Sequence, residues 1–195
     1  MQRRDVIMGA VASLGLFTTG CTTTANTTST TTAPAESRDK RHSINVASHE
    51  ALTRLYTNVH GSRELVEKAR GVLVFPNVIA AGLGVGGEYG EGELLVGGAP
   101  VSYYSTASAS FGLQIGAQSK AVFFLFMTKD ALERFRASHG WTAGVDASVA
   151  LLQVGANGDV DVNSAQAPVT GFVLTNAGLM ANATVQGTKI TQLDF

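Results

Sequence analysis

The sequence predicts an α+β fold: short N-terminal helices, then a curled, mainly antiparallel β-sheet, barrel- or sandwich-like, with one inserted helix. Three observations predict it. Between Ser43 and Arg70, the residues Ala51, Leu52, Leu55, Tyr56 and Val59 recur at three- and four-residue steps, which lays them on one helical face. From Gly71 onward the period falls to two, in short runs bounded by Gly, Pro and Asn. One later stretch, Lys129 to Ser138, returns to helical spacing.

Gly61-Ser62 interrupts the helical start, and Ser62 is placed to N-cap a second short helix carrying Leu65, Val66 and Ala69. Val72 to Phe75 reads as a strand stopped by Pro76-Asn77, Val78 to Glu88 alternates Gly with Leu and Val, and Glu93 to Val96 is a further strand. Val101 to Gln118 alternates strictly. Ser108, Ser110, Gly112, Gln114, Gly116 and Gln118 share one face, and Ala109, Phe111, Leu113, Ile115 and Ala117 the other. The first face is so small that a backbone or a ligand is expected to approach closely there. Ala121 to Met127 is apolar throughout, as a strand buried on both faces would be. Thr128 is placed to cap the inserted helix, with Leu132 and Phe135 facing inward and Gly140 ending it. Val145 to Val154, an Asn157-Gly158 hairpin signal, Val160 to Val162, Val169 to Thr175, Leu179 to Gln186 and Thr188 to Leu193 complete the sheet.

A chain of 195 residues suits one domain plus appendages. With 45% hydrophobic and 15% charged residues it is no disordered polyelectrolyte, and a net charge of −1 gives no global reason to bind nucleic acid. The charge is unevenly spread. Glu36 to Arg70 holds seven basic residues against five acids, whereas Gly71 onward holds five against nine. An anionic partner is therefore expected at the start of the domain, not across its body.

Met1 to Gly20 reads as a signal peptide: Arg3 and Arg4, then a short apolar run from Val6 to Phe17. That run is shorter than the roughly 20 residues a membrane span needs. Thr18-Thr19-Gly20-Cys21 resembles a lipobox, so Cys21 is expected to become the fatty-acylated (palmitate-bearing) first residue, although Thr18 stands where Leu is usual. Cys21 is the single cysteine and has no intramolecular disulfide partner. The Thr-rich tract after it cannot build a core, so 21–42 is expected to be a tether and 43–195 the binding domain. Arg3-Arg4-Asp5-Val6-Ile7 fits an ordinary positive leader and a twin-arginine export signal equally. Thr22, rather than Asp, after the cysteine resembles sorting to the outer membrane. The expected location is the cell envelope, lipid-anchored and facing the periplasm.

Gly82-Leu83-Gly84-Val85-Gly86-Gly87 has the spacing of a dinucleotide-binding turn, but another strand is expected after it rather than a helix. Close sheet packing is the better reading. Asn157, Asp159, Asp161 and Asn163 place oxygens in a row along one strand, whereas calcium needs six to eight converging. His42 falls in the tether, His49 and His60 are helical and His139 ends a helix, with no metal-ligand spacing and no nucleophile setting. Asp146 is expected in a strand amid apolar neighbours, where a structural hydrogen bond is the better reading than catalysis. Tyr103, Tyr104 and Trp141 suit core packing better than a ligand-facing rim. No cofactor, metal or catalytic set is expected, and the domain reads as a binding module rather than an enzyme.

Three stretches carry a resemblance: Ala69-Arg70-Gly71-Val72-Leu73-Val74-Phe75-Pro76, Gly86-Gly87-Glu88-Tyr89-Gly90-Glu91-Gly92, and Ser110 through Gln118. Together with Phe124 to Phe126, Ala131-Leu132 and Asp146 to Ala150, they resemble the SYLF domain, from about Ser43 onward. That resemblance implies a non-catalytic lipid-binding domain, since the bacterial branch is lipid-binding. Eukaryotic relatives bind phosphoinositides, and some bind actin filaments. In lipid-binding relatives a basic amphipathic segment at the domain start is implicated. It maps here onto Arg54, Arg63, Lys68 and Arg70, with Glu50, Glu64 and Glu67 interspersed. The expected partners are a membrane, through the N-terminal anchor, and a phospholipid ligand. The alternative is a structural or protein-interaction lipoprotein of the envelope, with an envelope protein as partner.

Overall fold

One strand dominates the architecture. The computed structural model describes residues 32–112, 118–138, 140–152, 160, 167–175, 178–179 and 184–195, and in it β1 (Gly71–Val96) runs for 26 residues where the sequence suggests three short strands. Pro76-Asn77 does not stop it. The antiparallel ladder with β3 (Gln118–Phe126) shifts register between Phe75 and Val78, so the proline sits in an irregularity of the ladder. The glycines let β1 coil onto itself. A Cβ at Gly92 would strike the Val74 carbonyl oxygen, and one at Gly90 would come within 2.8 Å of the Asn77 carbonyl oxygen. Only a residue without a side chain permits that crossing.

The second half of β1 pairs with β2 (Ala99–Gly112), from Val96↔Ala99 to Gly84↔Gly112, and its first half with β3, from Ala80↔Gln118 to Gly71↔Phe126. Gly97 and Gly98, at φ +61° and +80°, make the two-residue turn between β1 and β2, which needs positive φ at both positions. Outside β2 lie β8 (Lys189–Leu193) and then β4 (Gly140–Thr142). Outside β3 lie β6 (Val169–Thr175) and then β5 (Val149–Leu151), the one parallel neighbour among the described strands. The short β7 (Gly178–Leu179) pairs with β6. The hydrogen-bonded order is β4-β8-β2-β1-β3-β6-β5, a curled half-barrel of mainly antiparallel strands. The α+β expectation is met.

The central strands bury both faces, as the apolar run Ala121 to Met127 requires. Val72, Val74, Ala121, Phe123, Leu125, Phe172 and Leu174 pack against Ala51, Leu52, Leu55, Val59 and Leu65 of the N-terminal helices. The alternate residues Leu73, Phe75, Val122, Phe124, Phe126, Val169 and Val173 pack against Leu132 and Phe135 of α3 (Lys129–Ala137) and against Trp141. There Phe126 and Phe135 stand 4.7 Å apart, and Trp141 meets Phe124, Phe126 and Phe135 edge-on.

Several local expectations change. The first helix, α1 (Thr32–Asn58), begins inside the expected tether, so positions 32–42 are helical and His42 lies on α1. Pro34 falls in its first turn, where its missing N–H costs no bond, and Ala35, Glu36, Arg38, Lys40 and Arg41 propagate helix well. Ser62 does not cap α2 (Ser62–Lys68). Its buried hydroxyl donates to the Val59 carbonyl (2.6 Å) and the Leu55 carbonyl (3.2 Å), closing the end of α1, and Gly61 at φ +80° makes the corner. Thr128 does cap α3, accepting from the Ala131 N–H at 3.2 Å. Gly140 does not end that helix: Ser138 caps it and Gly140 opens β4. On β2, Ala109 is exposed and Ser108 is half-buried, and the approach expected on the small face is made by a carboxylate: Ser108 donates to Glu88 Oε2 at 3.1 Å. Of the strand expected at Val145 to Val154, only Val149–Leu151 is a described strand, and Val160 forms a bridge whose N–H donates to the His60 carbonyl. Cys21 and its leader, 113–117, His139, and the Asn157, Asp159, Asp161 and Asn163 row lie outside the described residues.

Candidate functional site

Along α1, Asn45, His49, Leu52 and Tyr56 follow each other at steps of four, three and four, which stacks them in one stripe down the helix. The neighbouring stripe, Ile44, Ser48, Ala51, Leu55 and Val59, is buried. The first stripe instead overhangs the sheet and roofs a cleft of about 540 Å³. Val72, Glu93 and Leu95 of β1 form its floor, Val66, Glu67 and Ala69 one end, and the Gly97-Gly98 turn its margin. From Asn45 to Tyr56 the roof extends roughly 16 Å at about 1.5 Å per residue. Its Asn45–His49 end is polar, and at its other end apolar Leu52 and Val66 stand with Tyr56 and the Glu67 carboxylate.

Glu93 is the unusual member. The alternation of β1 turns its side chain under α1, and it is 3% exposed. Burial raises its carboxyl pKa. The nearby Ser48 hydroxyl tempers the rise without reaching the geometry of a full hydrogen bond. The Asn45 amide orientation follows from its neighbours: its nitrogen faces Glu93 Oε2 at 2.6 Å, the Arg41 carbonyl at 2.9 Å and the Tyr103 hydroxyl at 2.9 Å. Asn45 thus ties the buried carboxyl to both α1 and β2. Tyr56 is half-buried with the Arg63 guanidinium 4.2 Å over its ring. Its hydroxyl pKa is raised, chiefly by burial, against a lowering by Arg63. Sequence reasoning missed Glu93; the one signal was a carboxylate next to Leu94-Leu95 inside a strand.

The four basic residues do not converge in this cleft. All are exposed. Arg63 leans over Tyr56, and Lys68 pairs with Glu64 at 2.7 Å. Arg70 lies between the lining residues Ala69 and Gly71 but does not itself line the cleft. Arg54 sits two residues from both Leu52 and Tyr56, about 200° around the helix at 3.6 residues per turn, and so faces away. Arg63, Lys68 and Arg70 form a basic margin mixed with acids, and Arg54 lies on the far face of α1.

The other candidates resolve simply. The Gly82–Gly87 motif lies inside β1, with strand rather than helix after it, which is the packing reading. Tyr104 and Trp141 are core residues, and Tyr103 is half-buried, with its ring 5.5 Å from that of Phe195. Asp146 is exposed in a turn, not buried in a strand, and its Oδ2 accepts from the Thr142 N–H at 2.6 Å. Among the described residues no three His, Cys, Asp or Glu side chains cluster as a metal site, and no helix is long and apolar enough to cross a membrane. A shallower groove of about 420 Å³ runs beside Ile44, Ala47, Pro76, Ile79 and Tyr89. Ile79 and Tyr89 there are 54% and 53% exposed.

Fold and cleft together define an α+β half-barrel domain with a ligand-sized pocket beneath its N-terminal helix. Residues 107–194 match the family model Ysc84, described as Las17-binding protein actin regulator. The match, which runs from within β2 to β8 and covers less than half of the chain, is consistent with the SYLF resemblance. No curated protein matches the chain.

Proposed function

We propose that this protein is a membrane-tethered lipoprotein of the cell envelope whose SYLF domain binds an amphiphilic lipid without catalysis. The observation that carries the reading is the long cleft under α1, with Asn45, His49 and Glu93 as polar groups and an apolar stretch of Leu52, Val66, Val72 and Leu95, a pairing that suits an amphiphile. In this reading Cys21 bears the lipid anchor, the leader exports the chain, and the domain faces the periplasm from the outer membrane. The anchor raises the local concentration of the domain at the bilayer, so a weak intrinsic affinity suffices. Arg54, Arg63, Lys68 and Arg70 meet anionic headgroups, each adding about 1 kcal/mol near an anionic surface. The family description names Las17 binding and actin regulation, and an exported chain does not meet actin.

Labelling with a palmitate analogue tests the anchor, and Cys21→Ser should abolish the label. Co-sedimentation with anionic liposomes tests the domain. A tether-free domain that binds no liposome at low salt overturns the lipid reading. The second reading, an envelope protein-interaction module, is favoured by exposed Ile79 and Tyr89 beside the shallow groove. Pull-down of a defined envelope protein without liposome association would select it.

A further inference from the structure

We propose that the cleft under α1 takes the ammonium end of a single-chain cationic amphiphile, with Glu93 as its counter-ion, and excludes phosphate headgroups. This rests on the amphiphile-binding reading above and names its ligand class. The argument is one of charge placement. Two carboxylates, Glu93 and Glu67, line the cleft, and among the described residues no lysine or arginine does. Three of the nearby cations are engaged elsewhere: Lys40 on Glu91 at 2.7 Å, Lys68 on Glu64 at 2.7 Å, and Arg63 over the Tyr56 ring. A phosphate entering the polar end would therefore meet a buried carboxylate with no lysine or arginine among the described lining residues, where low dielectric magnifies the repulsion.

An ammonium reverses that balance. A carboxylate out of water is costly unless a counter-charge and hydrogen bonds satisfy it. Asn45 supplies one hydrogen bond to Glu93 and no lining side chain supplies the charge. The three donors of a primary ammonium suit a site rich in acceptors: Glu93, and His49 on the turn after Asn45. The tail then lies along Leu52, Tyr56, Val66, Val72 and Leu95. The basic margin and the cleft thus recognise opposite charges: anionic bilayer outside, cationic or neutral polar end within.

The test is calorimetric titration of the full chain with dodecylammonium, dodecanol and laurate, all below their aggregation concentrations, so that only the polar end differs. The expected order is dodecylammonium over dodecanol over laurate, with the ammonium at least about tenfold tighter than the carboxylate, or about 1.4 kcal/mol. Glu93→Gln should bring dodecylammonium to the level of dodecanol while leaving dodecanol unchanged. The comparison in the unaltered protein stands even if that variant fails to fold. Laurate binding as tightly as the amine, an amine no better than the alcohol, or a folded Glu93→Gln protein that keeps its amine preference overturns the inference. If none of the three binds but the protein still sediments with anionic liposomes, the inference falls and the lipid reading stands. If neither occurs, both fall.

Discussion

Replacing Gly92 with alanine tests the feature that places Glu93 under α1. The new methyl group would overlap the Val74 carbonyl oxygen, lie 2.8 Å from the carbonyl carbon of Val74 and 2.7 Å from Cδ1 of Phe75. Overpacking a core costs about 1 to 3 kcal/mol when side chains can shift. Here the first obstacle is backbone in the middle of two ladders, so the cost should sit near the top of that range, about 3 kcal/mol. In a domain of this size each kcal/mol moves Tm by about 2 to 4 °C, which gives a fall of about 6 to 12 °C. Two other glycines calibrate the measurement. Gly97→Ala meets nothing within 4 Å but must hold φ +61°, at a cost of about 1 to 2 kcal/mol. Gly140→Ala has open space and no positive φ, so it should stay within about 0.5 kcal/mol of the parent. Urea unfolding of the three variants measures the series. If Gly92→Ala is as mild as Gly140→Ala, the strand does not cross itself there and the placement of Glu93 is wrong.

Three further outcomes are expected. Because the carboxyl pKa of Glu93 is raised by burial, the folded chain keeps a proton, over the pH window between the ordinary and the raised value, that the unfolded chain has already lost. This contribution is whole below the ordinary value of 4.5 and is lost as pH climbs from there through the raised value. Glu93→Gln should remove that part of the slope in urea midpoints measured against pH, and an unchanged slope would place the carboxyl in water. Phe135→Ala empties the ring cluster around Phe126 (4.7 Å), Tyr104 (4.9 Å) and Trp141 (5.6 Å), and should cost about 3 to 5 kcal/mol in the same assay. In liposome sedimentation, alanine at Arg54 or Arg70 should weaken binding more than alanine at Lys68, whose charge Glu64 already offsets. Equal losses at all three would show that the Lys68–Glu64 pair opens at the membrane.

Much of the fold was legible because its signals are local. Val169 to Thr175 and the Thr128-capped helix follow from apolar runs and a hydroxyl at a helix start, and the structure has both. The two-sided burial of β3 follows from a run with no polar break. What escaped was the long-range part. Pro76 and the glycines between 82 and 92 punctuate a chain when read alone, and only the crossing with Val74 shows that they bend one strand instead of separating three. Ser62 resembles an N-cap at its own position, whereas its partners are carbonyls behind it on α1. The cleft was invisible for the same reason. Glu93 becomes singular only when the Asn45–Tyr56 stripe is laid over it, whereas the basic residues that drew the eye line none of the cleft.

The double-faced middle of the sheet has a consequence for alignment errors. In most sheets a one-residue slip drives polar side chains into the core and is punished at once. Here Val72 to Phe75, Ala121 to Phe126 and Val169 to Leu174 would still offer mainly apolar groups to both layers after such a slip. Correct alignment must therefore be enforced at the margins. The Gly97-Gly98 turn fixes the count between β1 and β2, the Lys120–Glu88 pair (2.8 Å) marks β1 against β3, and Gly71 sits close beneath the Leu132 side chain at the far end. A deletion within Val122 to Leu125 should accordingly yield a chain that stays dense and greasy inside, yet cannot keep both the Lys120–Glu88 pair and the Gly71↔Phe126 pairing in place.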